Sequence, residues 1–330
     1  MYQKRPAKRI YPTLLLVALF IGAVFLLNRH SKLISSLVLL DGTIPRINAE
    51  TAKYYSSIIN SYGSDFEWRP DLSGVSPADD LIVGEAALLV DADSGKVLYS
   101  KQPDRPMKIA SLVKIMTAVV VLEHSDLKKE ITITSTAASI GENSMGITAG
   151  EVYTVEELLY GLMLNSGNDA AYALAEGAAG DAEEFIRWMN IKAAELGLTN
   201  THFSDPSGLD DTTVSTAVDL VKLSRYAMKF PAFREIVKTA GITLTSDEHK
   251  YLPLENQTNL LTTYPGVKGI KTGYTEEAGL CLVTYASNSS KELIGVVLNS
   301  IDRKGDMILM LDYGYAQYGI TVEHNLLSQF

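Results

Sequence analysis

Cysteine is almost absent from this chain. Cys281 is the only one in 330 residues, so no intramolecular disulfide can brace the fold. In the apolar strand Gly279 to Tyr285 it reads as a small buried residue, because no histidine stands near it to activate a thiolate. Histidine is scarce too, and His30, His124, His202, His249 and His324 are scattered without ligand or triad spacing. With one cysteine they make no metal site, and no cofactor is expected. Positive charge is in deficit: the net charge is −10 and the pI about 5.1, which excludes a nucleic-acid partner with its polyanionic backbone. There is no Gly-x-Ser-x-Gly elbow, so a Ser-His-Asp hydrolase would have to rely on His202 beside Asp205. That histidine is read instead as a structural hydrogen-bonding residue. Internal repeats and low-complexity tracts are absent.

Charge is also missing from Thr13 to Leu27, an apolar run with one glycine, Gly22, preceded by Lys4, Arg5, Lys8 and Arg9. The basic end marks the cytoplasmic side of a membrane-targeting segment. Extended back to Ile10, the run approaches the ~20 residues that span a bilayer. Asn28, Arg29 and His30 follow it with no small-x-small cleavage site, so an uncleaved signal anchor is expected. The resulting division is a cytoplasmic tail over 1–12, a transmembrane anchor over 13–30, an extracytoplasmic stalk over 31–78, a compact domain over 79–320 and a tail over 321–330. A short helix is expected within the stalk, at Ala49 to Tyr62.

The compact domain opens with two apolar strands, Ala86 to Val90 and Val97 to Tyr99, around a turn rich in Asp, Ser and Gly. After Pro106 the pattern becomes helical, with Leu112, Ile115, Met116, Val119, Val120 and Leu122 making a helix apolar on nearly every side. Helices follow at Thr154 to Leu164, Ala170 to Ala178 (capped by Asn168-Asp169), Ala182 to Leu196 and Ala217 to Lys229. Strands return at Gly269 to Thr272, Gly279 to Tyr285 and Glu292 to Asn299, before a last helix from Lys304 to Tyr318. Strands, a block of helices, then strands again do not alternate as a parallel βαβ protein would. The pattern predicts an α+β fold: an antiparallel sheet assembled from both ends of the domain, flanked by helices, with a helical subdomain inserted between.

Three short motifs occur in order along this framework. Ser-x-x-Lys is found twice, at Ser111 to Lys114 and at Ser125 to Lys128. Ser111 opens the apolar helix, which places Lys114 one turn away on the same face and in low-dielectric surroundings. Burial disfavours the ammonium, so the lysine can take the proton of the serine hydroxyl, while free N–H groups at the helix start stabilise an oxyanion. Ser125 precedes the charged stretch Asp126 to Glu130 and reads as a solvated turn. Ser166-Gly167-Asn168 lies between two helices, where the serine can relay a proton and the amide can hold a substrate carbonyl. Lys271-Thr272-Gly273 lies on a strand, where ammonium and hydroxyl suit a carboxylate and the glycine permits close backbone approach. The N–H of Tyr274 would then share an oxyanion with that of Ser111. Each motif is weak alone; the ordered set is not.

The set resembles that of the penicillin-binding proteins and class A β-lactamases, with Gly167 where Ser-Asp-Asn has its acid. The chain is more similar to the low-molecular-weight D-alanyl-D-alanine carboxypeptidases, peptidase family S11. Ser144-Met145-Gly146, Leu158 to Gly161, Asn165 to Ala171, Phe203 to Leu209 and Gly266 to Thr275 extend the likeness. The resemblance implies a β-lactamase/transpeptidase-like mixed α/β fold. It also implies that Ser111 is acylated, Lys114 is the base, Ser166 and Asn168 relay protons and clamp substrate, and Lys271 and Thr272 bind a terminal carboxylate. Peptidoglycan stem peptides are then the expected substrate and β-lactam antibiotics the expected covalent inhibitors. Many such relatives carry a second all-β domain and a C-terminal anchor; here only Ile320 to Phe330 follow the last helix, so the N-terminal anchor is expected to substitute.

Rivals within the fold are a D,D-endopeptidase of peptidoglycan cross-links, which would use the same residues, and a non-hydrolytic penicillin-binding sensor. A class A β-lactamase needs a deacylating glutamate. Glu176, Glu183 and Glu184 lie in no Glu-x-x-x-Asn pattern, so slow hydrolysis of penicillin is expected.

Overall fold

The computed structural model describes residues 68–73, 81–258 and 260–326, all within one compact unit, Tyr62–Phe330. The predicted basic tail, membrane anchor and 49–62 helix, and the last residues of the tail, lie outside the described residues. Residues 68–73, assigned above to the stalk, pack on the domain instead. The N–H of Asp71 donates to Gly95 O at 2.9 Å, and Arg225 stacks 4.6 Å over the Trp68 ring.

The chain opens with β1 (Ala86–Asp91) and β2 (Val97–Lys101), passes the short β3 (Met107–Lys108), and enters a 3₁₀ turn, Ala110–Val113, that leads into α1 (Lys114–His124). Next come β4 (Glu130–Thr132), α2 (Ser135–Ala138), β5 (Val152–Thr154), α3 (Val155–Met163), α4 (Asn168–Ala179) and α5 (Ala182–Glu195). Then β6 (Val214–Ser215) pairs with β3, and α6 (Ala217–Ala227) and α7 (Pro231–Lys238) precede a hairpin of β7 (Gly241–Leu244) and β8 (Leu252–Glu255). A last block holds α8 (Leu260–Thr263), β9 (Val267–Thr275), β10 (Gly279–Asn288), β11 (Lys291–Ser300) and α9 (Arg303–Ala316).

The main sheet has the order β2-β1-β11-β10-β9, antiparallel at every pairing. It is assembled from both ends of the domain, as the element order predicts. Its two faces are both covered, which explains why β1 is apolar at every position rather than alternating. Leu88 and Val90 point to one core with α1, α3, α4 and α6, whereas Ala87 and Leu89 point to another with α9. The helix α1 is surrounded by α3, α4, α5 and α6, so its residues are buried on every side, Lys114 included.

Local signals account for many boundaries. Thr154 and Glu157 form a reciprocal capping box at the start of α3, and Gly180, at φ +92°, ends α4. The expected Asn168-Asp169 cap of α4 is corrected: Gly167 takes the cap position without a side-chain bond, and Asn168 is already helical. The β7–β8 hairpin and α7 were not foreseen. The hairpin's strands are four residues each, and β7 is mostly solvent-facing, too short and too polar to show a period.

Asp306, at the start of α9, ties the segment that leads into β1 to the end of β11. Its buried carboxylate accepts from Val83 N at 2.8 Å, Gly84 N at 2.9 Å and Ser300 Oγ at 2.6 Å. Asp306→Ala leaves three donors unpaired and should lower the unfolding free energy by about 3 kcal/mol in urea titration, with Asp306→Asn losing less.

Candidate active site

Ser111 stands in the 3₁₀ turn one residue after Ala110, whose φ is +47°, and Lys114 is the first residue of α1. The α-helix therefore starts three residues later than the sequence pattern suggests. The i, i+3 relation survives because both conformations place those side chains on one face. Lys114 Nζ lies 3.0 Å from Ser111 Oγ, and it donates to Asn168 Oδ1 at 2.7 Å and to Ser207 O at 2.6 Å. Burial pulls its pKa down to about 7, against the charges of Asp205, Asp169 and Glu142, which push it back up. A lysine poised there can hold or release a proton at neutral pH.

The third acceptor comes from a loop to which the sequence reading assigned no role. In the Phe203 to Leu209 segment, Asp205 accepts from the N–H groups of Ser207, Gly208 and Leu209, which turns the chain tightly and aims Ser207 O at Lys114. Gly208, at φ +86°, presses on the Ala110–Ser111 peptide so closely that a Cβ there would collide with Ala110 O. The available signal was the Asp-Pro-Ser-Gly composition of a turn, which is silent about what the turn touches.

Ser166 and Asn168 arrive at the same place between α3 and α4. Asn168 takes Lys114 on its Oδ1 and donates from Nδ2 to Gly141 O at 3.0 Å, while its N–H reaches Asn143 O at 2.8 Å. The amide thus holds Lys114 and the 141–143 loop. Ser166, at φ +59°, is buried, and its Oγ has no hydrogen-bond partner among the described residues. Gly167 has a steric cause: a Cβ there would lie 2.9 Å from Asp169 Oδ1 and 3.0 Å from Met145 N. Asp169 occupies that space because it accepts from Ser144 Oγ and from the N–H groups of Met145, Gly146 and Ile147, closing this loop over the motif.

Lys271, Thr272 and Gly273 lie on β9, the edge strand. A Cβ on Gly273 would sit 2.9 Å from Ile109 O and 3.2 Å from Ser111 N, so the strand runs directly against the serine's own backbone, with Tyr274 next in line and more than half exposed. Lys271 is buried, and its Nζ reaches Thr272 O at 3.1 Å. Its pKa is held well below the ordinary lysine range, first by burial and then by the charges of Lys114 and Arg303. Arg303, from the start of α9, donates to Gly273 O at 2.7 Å and was missed in the sequence, since a lone arginine after a strand carries no motif.

The remaining candidates fall elsewhere. Ser125 is the C-cap of α1. His202 is exposed and pairs by its backbone with Val214, while the neighbouring Asp205 carboxylate turns to its own loop. Glu176 accepts from Thr134 Oγ, and Glu183 and Glu184 sit in the first turn of α5. Cys281 is buried in β10 with its thiol pushed up to about 11 by burial, an inert state.

A serine with a fully buried lysine at hydrogen-bond distance, where a helical block meets the edge of an antiparallel sheet, defines a serine hydrolase that works without histidine. Residues 74–302 match the profile of the D-alanyl-D-alanine carboxypeptidases, Peptidase S11, and the chain belongs to that family. It is 37% identical over 243 residues to D-alanyl-D-alanine carboxypeptidase DacF of Bacillus subtilis, an alignment covering 71% of this chain and 62% of that protein. It is 35% identical over 227 residues to a D-alanyl-D-alanine endopeptidase of Escherichia coli, covering 67% of this chain and 73% of that one. The crystal structure of the Streptomyces K15 DD-transpeptidase superimposes with a TM-score of 0.68 at 35% identity, covering 73% of this chain and all of that one.

Restoring the acid of a Ser-Asp-Asn motif tests the packing at Gly167. Gly167→Asp should cost about 2 kcal/mol in urea unfolding, because the new side chain must displace Met145 or Asp169.

Proposed function

We propose that the protein is a serine-type D-alanyl-D-alanine carboxypeptidase that removes the terminal D-alanine from peptidoglycan stem pentapeptides through an acyl-enzyme on Ser111. The observation that carries this reading is Lys114: fully buried, 3.0 Å from Ser111 Oγ and titrating at about 7. Neutral Lys114 takes the Ser111 proton as Oγ attacks the carbonyl carbon of the penultimate D-alanine. The oxyanion is received by the N–H groups of Ser111 and Tyr274. Collapse breaks the peptide bond, and the leaving amine is protonated by way of Ser166, whose hydroxyl has no hydrogen-bond partner among the described residues. Water then attacks the ester, its proton passing to the base, and frees the shortened peptide and Ser111.

The substrate's carboxylate is assigned to Lys271, Thr272 and Arg303. Lys271 and Arg303 bring two cations together, and Lys271 forms no ion pair among the described residues, so an incoming anion supplies the missing charge. A β-lactam carries both the reactive carbonyl and the carboxylate, and acylates the same serine. Cleavage of cross-links is the second reading, favoured by the similarity to the Escherichia coli endopeptidase. The catalytic domain stands outside the cytoplasmic membrane, held by the 13–30 segment, a reading supported by the four basic residues before that apolar run. No helix of the described residues is long and apolar enough to cross a membrane.

The protein should release D-alanine from a pentapeptide faster than it cleaves a cross-linked dimer, and labelled penicillin should attach to Ser111. Label that persists in Ser111→Ala would sink the assignment. The acylation rate should climb as pH rises through about 7, since protonated Lys114 cannot accept the serine proton. A mature protein whose N-terminal sequence begins after Leu27 would overturn the anchor.

A further inference from the structure

Asp205 is a buried acid that the reaction above does not use. It lies between α5 and β6, shielded from solvent, and forms no salt bridge among the described residues. Its partners are donors of its own loop: Ser207 Oγ, Ser207 N at 3.1 Å, Gly208 N at 2.9 Å and Leu209 N at 3.1 Å. Four donors on one carboxylate define the path of the chain from 205 to 209, and that path touches the site in three places. Ser207 O receives Lys114 Nζ at 2.6 Å, Pro206 O receives Thr117 Oγ of α1 at 2.6 Å, and Gly208 abuts the Ala110–Ser111 peptide.

We propose that Asp205 is a positioning residue for acylation: its carboxylate folds the 205–209 turn into the seat that holds Lys114 and the Ala110–Ser111 peptide, and supplies negative charge facing that lysine. The proposal rests on Ser111 as nucleophile and Lys114 as base. The other charged groups facing Lys114 are Asp169 of α4, Glu142 of the 141–147 loop and Lys271 of β9. Asp169 is committed to the 144–147 backbone and Glu142 is exposed, whereas Asp205 is joined to Lys114 through two residues of one tight turn. Removing the Asp205 charge alone therefore leaves the other three groups in place. Without it the ammonium loses a stabilising neighbour, so Lys114 gives up its proton at lower pH.

The test compares the full-length protein with Asp205→Asn, which keeps the shape and one acceptor oxygen, in two measurements. One follows the Lys114 Cε resonance of ¹³C-lysine-labelled protein against pH; the other follows the rate of capture by labelled penicillin over the same range. The expected result for Asp205→Asn is a Lys114 midpoint displaced to lower pH, an acid limb of capture displaced the same way, and a plateau rate reduced roughly tenfold by loss of alignment. A folded Asp205→Asn protein whose Lys114 midpoint and acid limb both stay at the wild-type position overturns the proposal, whatever happens to the plateau, since a merely structural loop would lower the plateau alone. Wild-type protein that takes no label overturns the nucleophile assignment instead, and the resonance titration still decides Asp205. Should Asp205→Asn fail to fold, Ser207→Ala removes one donor from the carboxylate and leaves Ser207 O in place. A severalfold slower capture is expected there, and an unchanged rate overturns the proposal.

Discussion

The structure is organised around an ammonium group taken out of water. Lys114 is the first residue of a helix buried on every side, and the fall from the ordinary lysine value of 10.5 to about 7 corresponds to on the order of 5 kcal/mol against its charged form. Such a group is tolerable only with acceptors arranged around it. The fold supplies Ser111 Oγ from the preceding turn, Asn168 Oδ1 from α4 and Ser207 O from a loop that comes later in the chain. Each arrives from a different element, so the inserted helices cannot pack without assembling the site.

The same economy governs the loops. Asp169 holds the 144–147 backbone, Asp205 holds the 205–209 backbone and Asp306 holds the 83–84 backbone. In each case a buried carboxylate satisfies the N–H groups of a segment that has no strand or helix to do so. Two of these three acids face Lys114. The residues that hold these loops also carry the charge facing Lys114, which couples the local geometry to the protonation of that lysine.

Glycine supplies the complementary constraint at two contacts. Gly273 lets β9 run against the backbone of Ser111, and Gly208 lets the 205–209 turn press on Ala110. A side chain at either position would push apart the two halves of the cleft. The edge position of β9 completes the arrangement, because only an edge strand leaves backbone groups free to meet a peptide substrate.

Much of this was legible in the amino-acid sequence. The apolar run around Ile115 to Val121 marked a buried helix, the i, i+3 spacing of Ser111 and Lys114 joined the two on one face, and the order of strands and helices showed a sheet closed from both ends. These are local properties, carried by periodicity and short spacings, and they survive small changes such as the 3₁₀ start before α1. What tertiary structure alone decided is which distant groups meet that lysine. Asp205, Ser207 and Arg303 belong to segments whose composition announces only a turn or a helix start, and their contacts with the motifs span long stretches of chain. Asn168 reads locally as a cap, yet its side chain is drawn to Lys114, because a buried ammonium needs an acceptor more than the start of α4 needs a cap. Sequence therefore determined the pairing of Ser111 with Lys114 and the buried helix that carries it, while the folded chain determined the electrostatic surroundings, since charge acts through space and not along the chain.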